Sequence, residues 1–157
     1  MKSANRLDNV DKSLLRHLQG HGRATNAELA EAARLSDSAC FRRVRALEAE
    51  GVITGYAATV DPRAVGLGLT VFVSITLSSQ ARDLLAAFEA AVAQAPEIME
   101  CHLMTGQADY ILRVVASDVD DLERLHASLL TRLPGVARIN SSIALRTVVR
   151  RTALPVR

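Results

Sequence analysis

The segment TNAELAEAARLSDSACFRRVRALEAEG, Thr25 to Gly51, decides how the first third of this chain folds. It opens on Thr25-Asn26-Ala27-Glu28, a capping box in which a hydroxyl and a carboxylate three positions apart satisfy each other's free helix-end amides. Leu29, Ala30 and Ala33 then supply a short apolar stripe, and the helix is expected to end by about Ala33. A tight turn at Arg34-Leu35 follows. Ser36 is an N-cap for a further helix to about Glu50, which Gly51 stops. Upstream, Asp8 caps a first helix whose stripe is Val10, Leu14, Leu15 and Leu18, ended by Gly20 and Gly22. Three short helices with a tight turn between the second and third make a helix-turn-helix pattern.

In the third helix Cys40, Val44 and Leu47 fall at i, i+4 and i+7 and form the buried stripe. At about 100° per residue the opposite side carries Ser38, Arg42 and Arg45, with Phe41 on one flank and Arg43 on the other. Such a face can enter a DNA major groove, arginine reading guanine O6 and N7 while its neighbours hold phosphate. The argument is local, because the chain carries 19 basic and 17 acidic residues. A solvated helix face would have the same composition, since Asp37, Glu48 and Glu50 neutralise the helix.

Beyond Asp61-Pro62 the periodicity changes. Val52 to Val60 reads as extended. Leu69, Val71, Val73, Ile75 and Leu77 alternate with Thr70, Phe72, Ser74 and Thr76, a period-2 strand. Ser79 is the expected cap of a helix reaching about Gln94, stopped by Pro96. Ile98–Thr105 and Asp109–Val115 read as a hairpin around Gly106-Gln107-Ala108. Asp118 caps a helix carrying Val119, Leu122, Leu125, Leu129 and Leu133, stopped by Pro134-Gly135, and Val136–Leu145 is a fourth strand. The order β-α-β-β-α-β implies a four-stranded antiparallel sheet with both helices on one face, the ferredoxin-like arrangement. The fold class expected is therefore α+β: residues 1–52 a winged helix-turn-helix, 53–66 a connecting strand and linker, 67–157 a ferredoxin-like domain. A sheet apolar on both faces would need a second layer, so a homodimer through this half is expected.

Composition excludes other classes. Of the 157 residues 49% are hydrophobic and 23% charged, which fits a globular chain and not a disordered one. No apolar run approaches the ~18 residues a membrane span needs, and Met1–Val10 has no signal-peptide core, so a cytoplasmic protein without membrane contact is expected. Cys40 and Cys101 lie in apolar periodic segments and read as core thiols. The histidines are His17, His21, His102 and His126. They suggest no metal-spaced pair and no nucleophile–base constellation, with His102 structural and His126 packed or half-exposed. No enzyme, metal or cofactor is expected.

The chain resembles the Lrp/AsnC family of transcription regulators. The resemblance runs from about Leu7 to Arg150 and is carried by Leu7-Asp8-Asn9-Val10-Asp11, Gly22-Arg23, Asn26-Ala27-Glu28-Leu29-Ala30, Leu35-Ser36 and Arg43-Val44-Arg45-Ala46-Leu47-Glu48. It continues through Gly51-Val52-Ile53, Gly55-Tyr56, Glu100-Cys101-His102-Leu103, Gly106, Asp109-Tyr110 and Leu133-Pro134-Gly135-Val136. It implies a sequence-specific DNA-binding regulator, with an architectural, DNA-wrapping protein as the alternative. It also implies a homodimer assembling to an octamer, with an amino acid as the small-molecule effector, bound where sensing domains of neighbouring dimers meet. The DNA-contacting residues would be Ser36, Ser38, Phe41, Arg42, Arg43 and Arg45. The effector site carried over is the turn Met104-Thr105-Gly106 with Asp109, facing Ser141-Ser142-Ile143. Amides beside Gly106 would accept the α-carboxylate, and Asp109 would pair with the α-ammonium or order the loop. Two positions depart from the family pattern. Arg34 stands where many members have glycine, at a cost of roughly 1 kcal/mol if the backbone is left-handed. Gln107 replaces an acidic residue after the turn glycine.

Overall fold

The computed structural model describes residues 7–156. The chain forms two compact units, Met1–Thr59 with Val148–Arg157, and Val60–Thr147. The tail from Val148 therefore belongs with the first unit, not with the ferredoxin-like domain as the sequence suggested. The reason is a pair of hydrogen bonds: Gln19 Nε2 donates to the Leu154 carbonyl (3.1 Å) and the Leu154 amide donates to Gln19 Oε1 (2.6 Å).

The first unit contains α1 (Asn9–Gly20), α2 (Asn26–Ala33) and α3 (Asp37–Ala49). Each starts where a side chain can satisfy its free amides. Asp8 and Asp11 form a capping box on α1, Thr25 and Glu28 form one on α2, and Ser36 Oγ accepts from the Ala39 amide on α3. Leu14, Leu29, Ala30 and Cys40 are the buried centre, with Val10, Leu18, Leu35 and Val44 packed around them. Arg34 adopts φ 55°, ψ 48°, a left-handed conformation, so the turn keeps the shape that glycine would favour. The Arg34 amide caps α2, and the Leu35 amide donates back to the Ala30 carbonyl at 2.8 Å. The Asn26 side chain donates to the Asp37 carbonyl at 2.9 Å, tying the start of α2 to the start of α3.

The expected connecting strand is not seen. Among the described residues, no strand forms between Gly51 and Gly68, and Pro62–Val65 is a 3-10 turn. An extended segment becomes a strand only when its amides and carbonyls find a ladder partner.

The second unit has β1 (Leu69–Leu77), α4 (Arg82–Val92), β2 (Ile98–Leu103), β3 (Tyr110–Ala116), α5 (Val119–Ser128) and β4 (Val136–Ile143). The sheet order is β2-β3-β1-β4 with every neighbouring pair antiparallel. Val71, Val73, Ile75, Leu112 and Val114 form its buried face with Phe88 of α4 and Leu125 of α5. Helix α4 starts two residues later than Ser79 suggested, with Ala81 at the N-cap position. The Ser79 hydroxyl instead accepts from the Ala81 amide in a local turn, and α4 has no side-chain cap. The fifth helix ends at Ser128 and hands over to a 3-10 turn, Leu130–Arg132, before Pro134.

The other face of the sheet is mixed, not apolar throughout as the alternation suggested. Phe72 is 45% exposed there, but Thr70, Ser74 and Thr76 share its side of β1. An Arg113–Glu100 ion pair (2.8 Å) joins the paired positions of β3 and β2.

Candidate nucleic-acid interface and effector turn

On α3 the buried side is held by Cys40 and Leu47, and Ser38, Phe41, Arg42 and Arg45 are exposed. Phe41, at 60% exposure, is a large apolar ring beside cations on an open helix face. Arg42 has no ion-pair partner among the described residues. Arg45 Nη1 lies 3.3 Å from Glu48 one turn on, and Glu48 also accepts from the Tyr56 hydroxyl at 3.0 Å. Burial, and then the Glu48 carboxylate, raise the Tyr56 pKa. An exposed pair of this kind is weak and can be exchanged for a phosphate.

Two of the residues expected to touch DNA also make contacts within the protein. Arg43 Nη1 donates to Asp8 Oδ2 and Asp11 Oδ1, both at 2.8 Å, and so fastens α3 to the N-terminus of α1. Its guanidinium is turned to the protein rather than to the open face, because two carboxylates of the α1 cap converge on it. The Ser36 hydroxyl is occupied by the Ala39 amide and sits 3.3 Å from Ser38 Oγ. Asn26, which locks the two helices of the motif, was missed. Its short amide four positions before Ala30 gives no local signal of a partner eleven residues away.

The effector residues are not gathered in one chain. Met104, Thr105 and Gly106 are exposed in the hairpin turn, closed by the Met104 amide donating to the Asp109 carbonyl at 2.8 Å. Gly106 has φ 140°, and a Cβ there would meet nothing within 4 Å. Ser141, Ser142 and Ile143 lie on β4 opposite Val73, Phe72 and Val71, whereas the hairpin turn leaves β3 at Tyr110, opposite Ile75. The strand order puts β2 and β4 at opposite edges, so within one chain the turn does not face Ser141–Ile143. Successive side chains alternate in direction, so Ser141 and Ser142 point to opposite faces of the sheet.

Asp109 is buried. Its Oδ2 accepts from the Leu77 amide and its Oδ1 from Gln80 Nε2, both at 2.7 Å. Of the two roles implied for it, this is the loop-ordering one. Next to it, the buried Tyr110 hydroxyl donates to Glu89 at 2.7 Å. Burial first, and the Glu89 carboxylate second, raise its pKa far above the ordinary range.

The histidines also differ from expectation. His17 and His21 stand one helical turn apart with rings stacked at 4.6 Å, a spacing that two imidazoles on a helix can use to share an ion. No group of three or more His, Cys, Asp or Glu that could hold a metal occurs among the described residues. His102 is exposed beside Glu100 at 3.5 Å rather than packed, and His126 is exposed on α5. Both thiols are free. Cys40 is buried and Cys101 half-buried, and burial raises the pKa of each. Among the described residues, no helix is long and apolar enough to cross a membrane.

Residues 7–54 match the family model for winged helix-turn-helix DNA-binding, and residues 70–154 match that for the Lrp/AsnC ligand binding domain. The chain belongs to the Lrp/AsnC family of transcriptional regulators. It is 43% identical over 149 residues to the Bkd operon transcriptional regulator of Pseudomonas aeruginosa, covering 95% of this chain and 97% of that protein. It is 39% identical over 142 residues to the leucine-responsive regulatory protein of Escherichia coli K12, covering 90% and 87%. Among solved structures, a Neisseria meningitidis transcriptional regulator in complex with L-Met superposes with a TM-score of 0.89 at 36% identity, covering 95% and 96% of the two chains. Escherichia coli AsnC superposes with a TM-score of 0.84 at 27% identity, covering 93% and 97%. The protein is thus a DNA-binding transcriptional regulator with a ligand-binding domain, not an enzyme.

Proposed function

We propose that this Lrp/AsnC protein recognises a specific DNA sequence through the exposed face of α3 and that an amino acid controls it through the sensing domain. The observation that carries the DNA reading is Arg42, a guanidinium with no ion-pair partner among the described residues, on the open side of the second helix of the motif. Ser38, Phe41 and Arg45 flank it, while Arg43 and Ser36 hold the helix in place. Arg42 and Arg45 would read guanine edges or hold phosphates.

For the effector, the exposed turn around Gly106 is where backbone amides would cradle a carboxylate. The turn and Ser141–Ile143 cannot meet within one chain, so the reading requires a second copy to bring β4 to the turn. A homodimer that assembles further, to an octamer, meets that requirement. The L-Met complex of the Neisseria regulator and the leucine-responsive relatives support an amino acid as the class of ligand.

The DNA experiment is a mobility shift on the duplex upstream of the protein's own gene, against a random duplex at the same salt. Arg42→Ala and Arg45→Ala each weaken the specific complex by ~1–3 kcal/mol if they read bases. Equal affinity of the unaltered protein for both duplexes refutes sequence-specific reading. The effector experiment is a thermal-shift series over the twenty amino acids, since a ligand at one hundred times its Kd adds about 2.7 kcal/mol. No shift with any of them refutes the amino-acid reading.

A further inference from the structure

The last twelve residues, Arg146–Arg157, contain four arginines and no acidic residue. The structure fixes part of this segment to α1 by the reciprocal bonds between the Gln19 amide group and the Leu154 backbone. A side-chain amide that both donates to and accepts from one residue's backbone mimics a strand pairing, and it holds the chain at a defined register. Gln19 lies one turn after the buried Leu15, so the attachment point is next to a rigid part of the helical unit. Arg150 and Arg151 lie four and three residues before Leu154, which limits their backbone to about 14 Å from it. Both are exposed, and neither has an ion-pair partner among the described residues.

This attachment changes the charge of the DNA-binding unit. Met1–Thr59 alone has nine basic and seven acidic residues. With Val148–Arg157 it has twelve against seven, while the sensing unit, Val60–Thr147, has seven against ten. The near-neutral total hides two units of opposite sign. The tail supplies most of the excess positive charge of the helical unit.

We infer that the C-terminal tail is part of the DNA-binding surface, clasped by Gln19 so that Arg150 and Arg151 neutralise phosphates flanking the site that α3 reads. The inference rests on the DNA reading above. Its chemistry is separate from base recognition: phosphate contacts add affinity on any sequence and make it salt-dependent, with a slope of about −0.9 per phosphate neutralised.

The test measures binding of the full chain to a mixed-sequence duplex across a salt series. The Arg150→Gln/Arg151→Gln variant is expected to flatten the log–log slope by about 2 per bound chain. Gln19→Ala is expected to flatten it in the same direction with both arginines still present. Arg42→Gln serves as the reference for α3. If the double variant keeps the full slope while Arg42→Gln loses affinity, the tail inference is overturned and the DNA reading stands. If neither variant changes binding, both fall. If the double variant flattens the slope and Gln19→Ala does not, the clasp has no part in presenting the arginines, and the inference as stated is overturned.

Discussion

Arg43 and Asp11 are 32 positions apart in sequence and joined at 2.8 Å, with Asp8 on the same guanidinium nitrogen. One arginine of the recognition helix thus serves as a strut between α3 and the cap of α1, while its neighbour Arg42 remains open. The two should separate cleanly in experiment. Arg43→Ala is expected to lower the melting temperature of the DNA-binding unit by a few degrees, the scale of a partly exposed ion-pair network. Arg42→Ala should leave melting unchanged and weaken DNA binding. Thermal melting and mobility shifts on both variants check this; equal melting of Arg43→Ala and the unaltered protein removes the strut.

Asp109 provides a second separation. Its carboxylate accepts from the buried Leu77 amide and from Gln80. Asp109→Ala strands that amide and is expected to destabilise the sensing domain by about 1–3 kcal/mol. Asp109→Asn should recover most of the stability, because its oxygen can still accept from Leu77 and the Gln80 amide can turn to accept from the new NH2. Chemical unfolding of the two variants measures this. A full effector response in the Asn variant would show that Asp109 acts by ordering the loop, not by pairing with an ammonium.

What was legible in the sequence was what is local. Asp8 with Asp11 and Thr25 with Glu28 are three positions apart, so their capping boxes are visible without a structure. The period-2 alternation of Val71, Val73 and Ile75 with Thr70, Phe72, Ser74 and Thr76 likewise located the sheet's buried face. The misses are long-range pairings. Nothing near Arg43 announces Asp8, nothing near Asp109 announces Gln80, and nothing near Leu154 announces Gln19. Each depends on how elements pack. That the turn and Ser141–Ile143 lie apart within one chain was equally hidden: strand order is a property of the whole sheet, and it places β2 and β4 at opposite edges.

Arg34 holds φ 55° without being glycine. A side chain in this region carries a steric cost, from Cβ against the adjacent carbonyl, that glycine avoids. Arg34→Gly is therefore expected to stabilise the helix-turn-helix by up to about 1 kcal/mol, reduced by the greater freedom glycine gives the unfolded chain. Thermal melting reads the stability, and the mobility shift reads whether the lost guanidinium contributed to DNA affinity. Unchanged melting with weakened binding would assign Arg34 to the phosphate backbone.

Acid should weaken both units, and the sign follows from four carboxyls. The Asp11 amide, followed by the Arg43 guanidinium, lowers the pKa of Asp8, and the Thr25 amide and hydroxyl lower that of Glu28. The Arg113 side chain lowers Glu100, and the Ser117 amide, followed by Arg124, lowers Asp121. A carboxyl whose folded pKa lies below its unfolded value stabilises the fold above the unfolded value, and the contribution disappears as pH falls through the folded one. With ordinary values of 3.8 for Asp and 4.5 for Glu, melting temperature should be insensitive to these groups near neutrality and should fall below about pH 4.5. Melting curves between pH 7 and pH 3 test this, with Asp8→Asn and Glu28→Gln expected to flatten the acid limb of the helical unit. If both variants retain the full acid sensitivity of the unaltered chain, these caps do not link the fold to pH.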